Sequence, residues 1–151
     1  MNHIDENGVL VKEGEPRMKL IEGKPAYKEA IDFLNKQAPV KALKLSEGMS
    51  RACMDHVLDQ GPKGGFGHKS TDGTSPWARL AKYGKAVGEQ AESISYGQKT
   101  PLKAVIQLVV DEGVENRGHR TNFFKPRMGA TGIASGTHAQ FGYMTCVDYA
   151  K

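Results

Sequence analysis

An α+β fold is predicted by a change of period along the chain. From Pro25 to Val109 apolar residues recur at helical spacing, and beyond Pro126 they alternate with a period of two. The 151 residues suit one domain, large enough to bury a core without metal or disulfide staples. Residues 1–24 mix Asp, Glu, Lys and Gly without a sustained period and are expected to form an extended arm; residues 25–151 form the domain.

Each element has a local reason. Pro25 is a good first helical residue, Tyr27, Ala30, Ile31 and Leu34 follow at helical spacing, and Pro39 stops the run. Ser46 can cap a second helix in which Met49, Ala52, Cys53, His56 and Val57 share a core face. His56 on that stripe reads as a buried, hydrogen-bonded histidine, and Cys53 as a small core hydrophobe. The glycines between Gly61 and Ser70 do not make a phosphate loop, because His68 separates Gly67 from Lys69 and Pro62 stands where the opening glycine would fall. They shape a turn that ends on His68.

Ser75, Pro76 and Gly84 bracket a short helix with Trp77, Leu80 and Ala81 inward. The stretch Gly88-Glu89-Gln90-Ala91-Glu92 has no clear period and reads as a loop or short helical turn. Thr100-Pro101 opens a helix with Leu102, Val105, Ile106 and Val109 on one face, and its end delivers Asp111 and Glu112. Gly132–Ser135 and the alternation Phe141, Tyr143, Thr145, Val147, Tyr149 read as an antiparallel hairpin turning at Gly136-Thr137-His138-Ala139, with His138 in solvent.

Hydrophobic residues at 38% and charged residues at 25% exclude a disordered tail, and no apolar run is long enough to cross a bilayer as a helix. Met1–Glu6 lacks the basic start and apolar block of an export signal, so the expectation for the chain as given is a cytoplasmic placement. Two cysteines, Cys53 and Cys146, cannot build a zinc finger or disulfide scaffold and are expected as reduced thiols. The net charge of +4 comes from basic residues scattered among acids, which argues against a nucleic-acid surface.

Function concentrates between Asp111 and Phe124, where two acids, a turn glycine, Gly118-His119-Arg120 and two aromatics sit in one short segment. Acids at a helix C-terminus oppose the macrodipole, and a residue placed against that preference is more often functional. In order, the chain carries Gly67-His68, Gly88-Glu89-Gln90, Ala104-Val105 leading through Leu108 to Asp111, Gly118–Phe124, and Gly132-Ile133 before the closing strand. That series resembles the CAP superfamily, the cysteine-rich secretory proteins, venom antigens and pathogenesis-related proteins, in its short, cysteine-poor branch.

The resemblance implies a three-layer α-β-α sandwich with a central, mostly antiparallel sheet. It also implies a cleft formed by His68, Glu89, Asp111 and His119. The chain departs from the pattern at Gln90, where Asn is usual, at Leu108, where Trp is frequent, and at Asp111, where Glu is usual and Glu112 is a rival. Two imidazoles with carboxylates suit zinc, and the same set also suits a hydrogen-bonded cluster of imidazolium and carboxylate. The expected function is a noncatalytic binding module for a lipid, sterol or protein partner. The alternative is a metal-dependent hydrolase or protease with Glu89 as general base, against which no Ser or Cys nucleophile lies beside a base in the sequence.

Overall fold

The structure, a computed structural model, describes residues 21–151 and three short strands before them. Those strands, β1 (His3–Ile4), β2 (Val9–Val11) and β3 (Met18–Lys19), pair antiparallel in the order β1-β2-β3. The expected extended arm therefore contains a small sheet; its other positions up to residue 20 lie outside the described residues. The domain also begins earlier than Pro25, because the backbone N–H groups of Glu22 and Gly23 both donate to Glu112 Oε1, at 2.8 and 2.7 Å.

The elements that follow are α1 (Lys24–Lys36), β4 (Lys44–Leu45), α2 (Glu47–Lys63), α3 (Pro76–Ala81), β5 (Gln90–Tyr96), α4 (Pro101–Val110), α5 (Gly118–Phe123), β6 (Ala130–His138) and β7 (Gly142–Ala150). The side chains of Ser46, Ser75 and Thr100 cap α2, α3 and α4, each accepting a backbone N–H that has no partner inside its helix. The sheet runs β4-β6-β7-β5, with β4 parallel to β6 and the other pairs antiparallel. On one face Cys53 and Val57 of α2 pack against Ile94, Ala134, Met144 and Cys146. On the other, Leu108 of α4 and Phe123 of α5 meet Ala91, Met128, Val147 and Tyr149, and α1 adds Ala26 and Ala30 against Val110. The result is a three-layer α-β-α sandwich with β5 at the edge of its central sheet.

Glycine sets the spacing between α2 and the sheet. A Cβ on Gly132 of β6 would stand 2.2 Å from the Met49 carbonyl carbon, and one on Gly61 of α2 would stand 2.4 Å from Thr137 O. Helix and strand backbones are in direct contact there.

Four expectations need correction. The stretch read as a loop is strand β5, whose residues 91–95 are buried on both faces and so show no alternation. Helices α1 and α4 form where expected but bury Ala26, Ala30, Ala104, Leu108 and Val110, leaving Ile31, Leu34, Leu102, Val105 and Ile106 exposed. The small alanines allow the close approach, so the inward face turns towards them. In α3, Trp77 and Ala81 point outward and Arg79 is buried. His138 belongs to β6 rather than to a solvent turn: it is buried, its Nε2 donates to Gly65 O at 2.7 Å, and its Nδ1 accepts from the backbone of Gln140 and Phe141.

Candidate functional site

His68 sits on the loop after α2, which Gly64 terminates in the left-handed conformation. The loop is tied down from several sides. Gly67 O accepts from His56 Nε2 at 3.0 Å and Gln60 Nε2 at 2.8 Å, while Gly67 N–H donates to the Tyr96 hydroxyl at 3.0 Å. Tyr96 in turn donates to Gln60 Oε1 at 2.7 Å, and Arg79 Nη1 donates to His68 O at 2.9 Å. His56 is the buried core histidine expected, and burial, with the nearby Arg79 charge, lowers its pKa.

So held, His68 places Nδ1 2.8 Å from Glu92 Oε1, and the other Glu92 oxygen bonds Arg79 Nη2. The Arg79 and Glu92 side chains are each 1% exposed, so the pair lies out of water. Burial pushes the Glu92 carboxyl up, but the His68 bond and the Arg79 charge outweigh it and hold the carboxyl below its usual range. The same bond raises the pKa of His68.

The second pair forms where α4 ends. Asp111 closes that helix with φ 55, and Arg117 at φ 49 starts α5, so the chain doubles back tightly. Asp111 Oδ1 lies 2.7 Å from His119 Nδ1, and Oδ2 accepts the backbone N–H groups of His119 at 2.8 Å and Arg120 at 3.3 Å. The acid set against the dipole of α4 thus satisfies the first turn of α5. Arg117 forks onto Glu22 and Glu29, and the buried Arg120 reaches Glu29 and the carbonyls of Val109 and Val110. Between the rival acids, Asp111 is the one beside the histidine; Glu112 turns away to the start of α1.

Glu89 is not beside either histidine. It lies on the surface before β5, where Oε1 pairs with Lys125 Nζ at 2.8 Å. Glu92, three residues on, occupies the place expected for it. The signal was in the pleat: Glu92, Ile94 and Tyr96 share one face of β5, and an acid in step with two core residues points inward.

The two histidines open onto separate hollows along β5. One, about 460 Å³, is walled by His68, Trp77, Glu92 and Asn122; the other, about 300 Å³, by Phe66, Ile94, Tyr96, Asp111, His119 and Phe141. Asn122, on the helix of His119, donates to Ser93 Oγ at 3.1 Å and Glu92 O at 3.4 Å, which links the two hollows. Among the described residues neither histidine belongs to a group of three ligand atoms within 4.8 Å of one another. Neither Nε2 has a protein partner among those residues.

The family model for the cysteine-rich secretory protein (CAP) family matches residues 22–149. The chain belongs to the CAP family. This CAP domain is 27% identical over 120 residues to the uncharacterised protein YkwD of Bacillus subtilis (strain 168), with 78% of the chain and 42% of that protein aligned. It thus spans less than half the length of that relative. Its fold resembles an outer surface protein of Borrelia burgdorferi at TM-score 0.61 and 17% identity, covering 85% of this chain and 90% of that one. It also resembles an SCP-domain extracellular protein of Bacillus anthracis str. Ames at TM-score 0.59 and 16% identity, covering 74% of this chain and 35% of that one.

Behind Glu92 the CAP domain holds a second group of polar side chains that sequence reading missed. Asp148 of β7 stands opposite Glu92 of β5 in the sheet, fully buried, and both its oxygens lack a partner among the described residues. Burial, with the charge of Glu92 next, pushes its carboxyl up to about 7. The clue was that Met144 and Cys146 share its face of β7. Both cysteines are buried free thiols, so titration under denaturing, nonreducing conditions should find two; finding none would mean that they had been oxidised to a disulfide.

Proposed function

We propose that this CAP domain is a noncatalytic binding module that takes an amphipathic lipid or sterol along β5. His68 and His119 supply its polar anchors, and Phe66, Tyr96 and Phe141 its apolar wall. The observation that carries the reading is that each cleft acid already engages partners through both of its oxygens. Glu92 engages His68 with one oxygen and Arg79 with the other; Asp111 engages the His119 ring with one and backbone N–H groups with the other. Each carboxylate is thus committed to orienting a histidine, and Glu89, the residue expected as general base, lies on the surface paired with Lys125. The thiols of Cys53 and Cys146 are fully buried behind Glu92 rather than open to the cleft, so neither serves as a nucleophile there.

Phe66 is 74% exposed yet stacks on Tyr96 at a ring-centroid distance of 4.8 Å, and Phe141 lies 5.3 Å from Tyr96. An aromatic surface rimmed by polar groups beside a hollow of about 300 Å³ suits a small amphipathic ligand.

Zinc fits the same histidines. Each imidazole is oriented through Nδ1 by a carboxylate, as histidine metal ligands usually are. His68 and His119 would each offer Nε2 to an ion in its own hollow, with Glu92 and Asp111 behind them as orienting partners and water or ligand atoms filling the other positions. Bound zinc supplies a Lewis acid for an oxygen of the ligand.

The test is titration of zinc and of sterol-containing vesicles into the wild type and the double variant His68→Ala/His119→Ala. We expect the variant to stay folded and lose both bindings, each replacement costing about 1–3 kcal/mol of stability in metal-free protein because a buried carboxylate oxygen loses its imidazole partner. Retained zinc affinity would defeat the role of the histidines. Zinc-dependent turnover of ester or peptide substrates that needs both histidines would defeat the noncatalytic reading.

A further inference from the structure

We infer that the buried group formed by Cys53 of α2 with Cys146 and Asp148 of β7 is a second metal site, for a thiophilic divalent cation such as zinc or cadmium. One sulfur from each cysteine and a carboxylate oxygen of Asp148 all lie within 4.8 Å of one another, the one such group among the described residues. All three residues have no exposed surface. Thiolates at about 2.3 Å and a carboxylate oxygen at about 2.0–2.2 Å from zinc place ligand atoms within 4 Å or so of each other, so a small inward shift closes the site.

Asp148 points to a ligand independently of that clustering. A wholly buried carboxyl group with no hydrogen-bond partner for either oxygen among the described residues is costly, and such groups ordinarily pair or coordinate a metal. Its neighbours offer little in exchange: Cys53 Sγ is 3.4 Å from Gly132 O, and Cys146 Sγ is 3.3 Å from Glu92 Oε2. Two sulfurs with carboxylate oxygens favour thiophilic ions over magnesium or calcium. Binding releases to solvent the two thiol protons, and that of any protonated Asp148 carboxyl, as the metal–sulfur and metal–oxygen bonds form.

This group lies behind Glu92 and shares none of its three ligands with the histidines of the cleft. The experiment adds cobalt or cadmium to the reduced protein, both folded and during refolding, because the buried site has no open path. Its readouts are thiolate-to-metal charge-transfer absorption and metal stoichiometry. We expect one ion per chain with that absorption, a higher melting temperature, and loss of both in Cys53→Ser and in the near-isosteric Asp148→Asn. His68→Ala/His119→Ala should keep the absorption, whereas it removes any metal held in the cleft. No absorption from the wild type by either route overturns the inference, as does absorption that survives both Cys53→Ser and Asp148→Asn.

Discussion

Glu92→Ala should unfold at a much lower urea concentration than the wild type, with a loss of about 3–5 kcal/mol, the usual cost of breaking a buried ion pair from one side. The reason is Arg79. Its guanidinium is as deeply buried as the carboxylate it faces, and its remaining bonds go to the neutral acceptors His68 O and Ser70 Oγ. Removing the carboxylate leaves that buried guanidinium without the ion-pair partner it bonds. Replacing both partners together, Arg79→Met with Glu92→Leu, should recover much of the loss, because packed apolar groups carry no such penalty. Because the folded-state pKa of Glu92 is lowered, its favourable term is present above the unfolded pKa and is lost as pH falls through the folded one. The gap between wild type and Glu92→Ala should therefore narrow below about pH 4. A loss below about 1 kcal/mol at neutral pH would mean that Arg79 reaches water, and the account would fail.

Gly132→Ala should cost about 3 kcal/mol or more, although it adds a single methyl group on a strand that alanine ordinarily tolerates. The added carbon would meet Met49 C at 2.2 Å and Ser50 N at 2.4 Å, and a helix backbone cannot rotate aside as a side chain can. Helix α2 would have to lift from β6, which also loosens the packing of Cys53 and Val57. Gly84→Ala is the control, since nothing lies within 4 Å of its added carbon; it should stay within about 0.5 kcal/mol. Equal melting temperatures for the two variants would show that α2 is free to slide.

Much of this architecture was legible in the chain because it rests on local chemistry. Ser46, Ser75 and Thr100 announce three helix starts, and the period of two from Phe141 to Tyr149 announces β7. Strand β5 was not legible, because burial of both faces erases the alternation that marks a strand and its polar residues are satisfied only by distant partners. Ser95 donates to Gln107 and Asn122 donates to Ser93, contacts that exist only once the layers assemble. The same blindness moved the cleft acid from Glu92 to Glu89. Arg79 and Asp148 were unreadable for a related reason: a buried charge looks like a surface charge until its partner is found. His68, Asp111 and His119 could be singled out because each sits in a short loop or turn whose composition is unusual for a connection, and the structure pairs His68 with Glu92 and His119 with Asp111.

The fastening of the loop before His68 has a dynamic consequence. Gly67 adopts φ 93 and lies outside every helix and strand, a position where backbone amides ordinarily trade their hydrogens with water quickly. Its N–H instead points at the Tyr96 hydroxyl, while its carbonyl is shared by His56 and Gln60 from α2. Deuterium uptake at Gly67 should accordingly be as slow as in α2, even though the neighbouring His68 ring stands half in solvent. A cleft built this way has already lost its ordering entropy during folding, so a guest meets an anchor that does not have to be stilled on arrival.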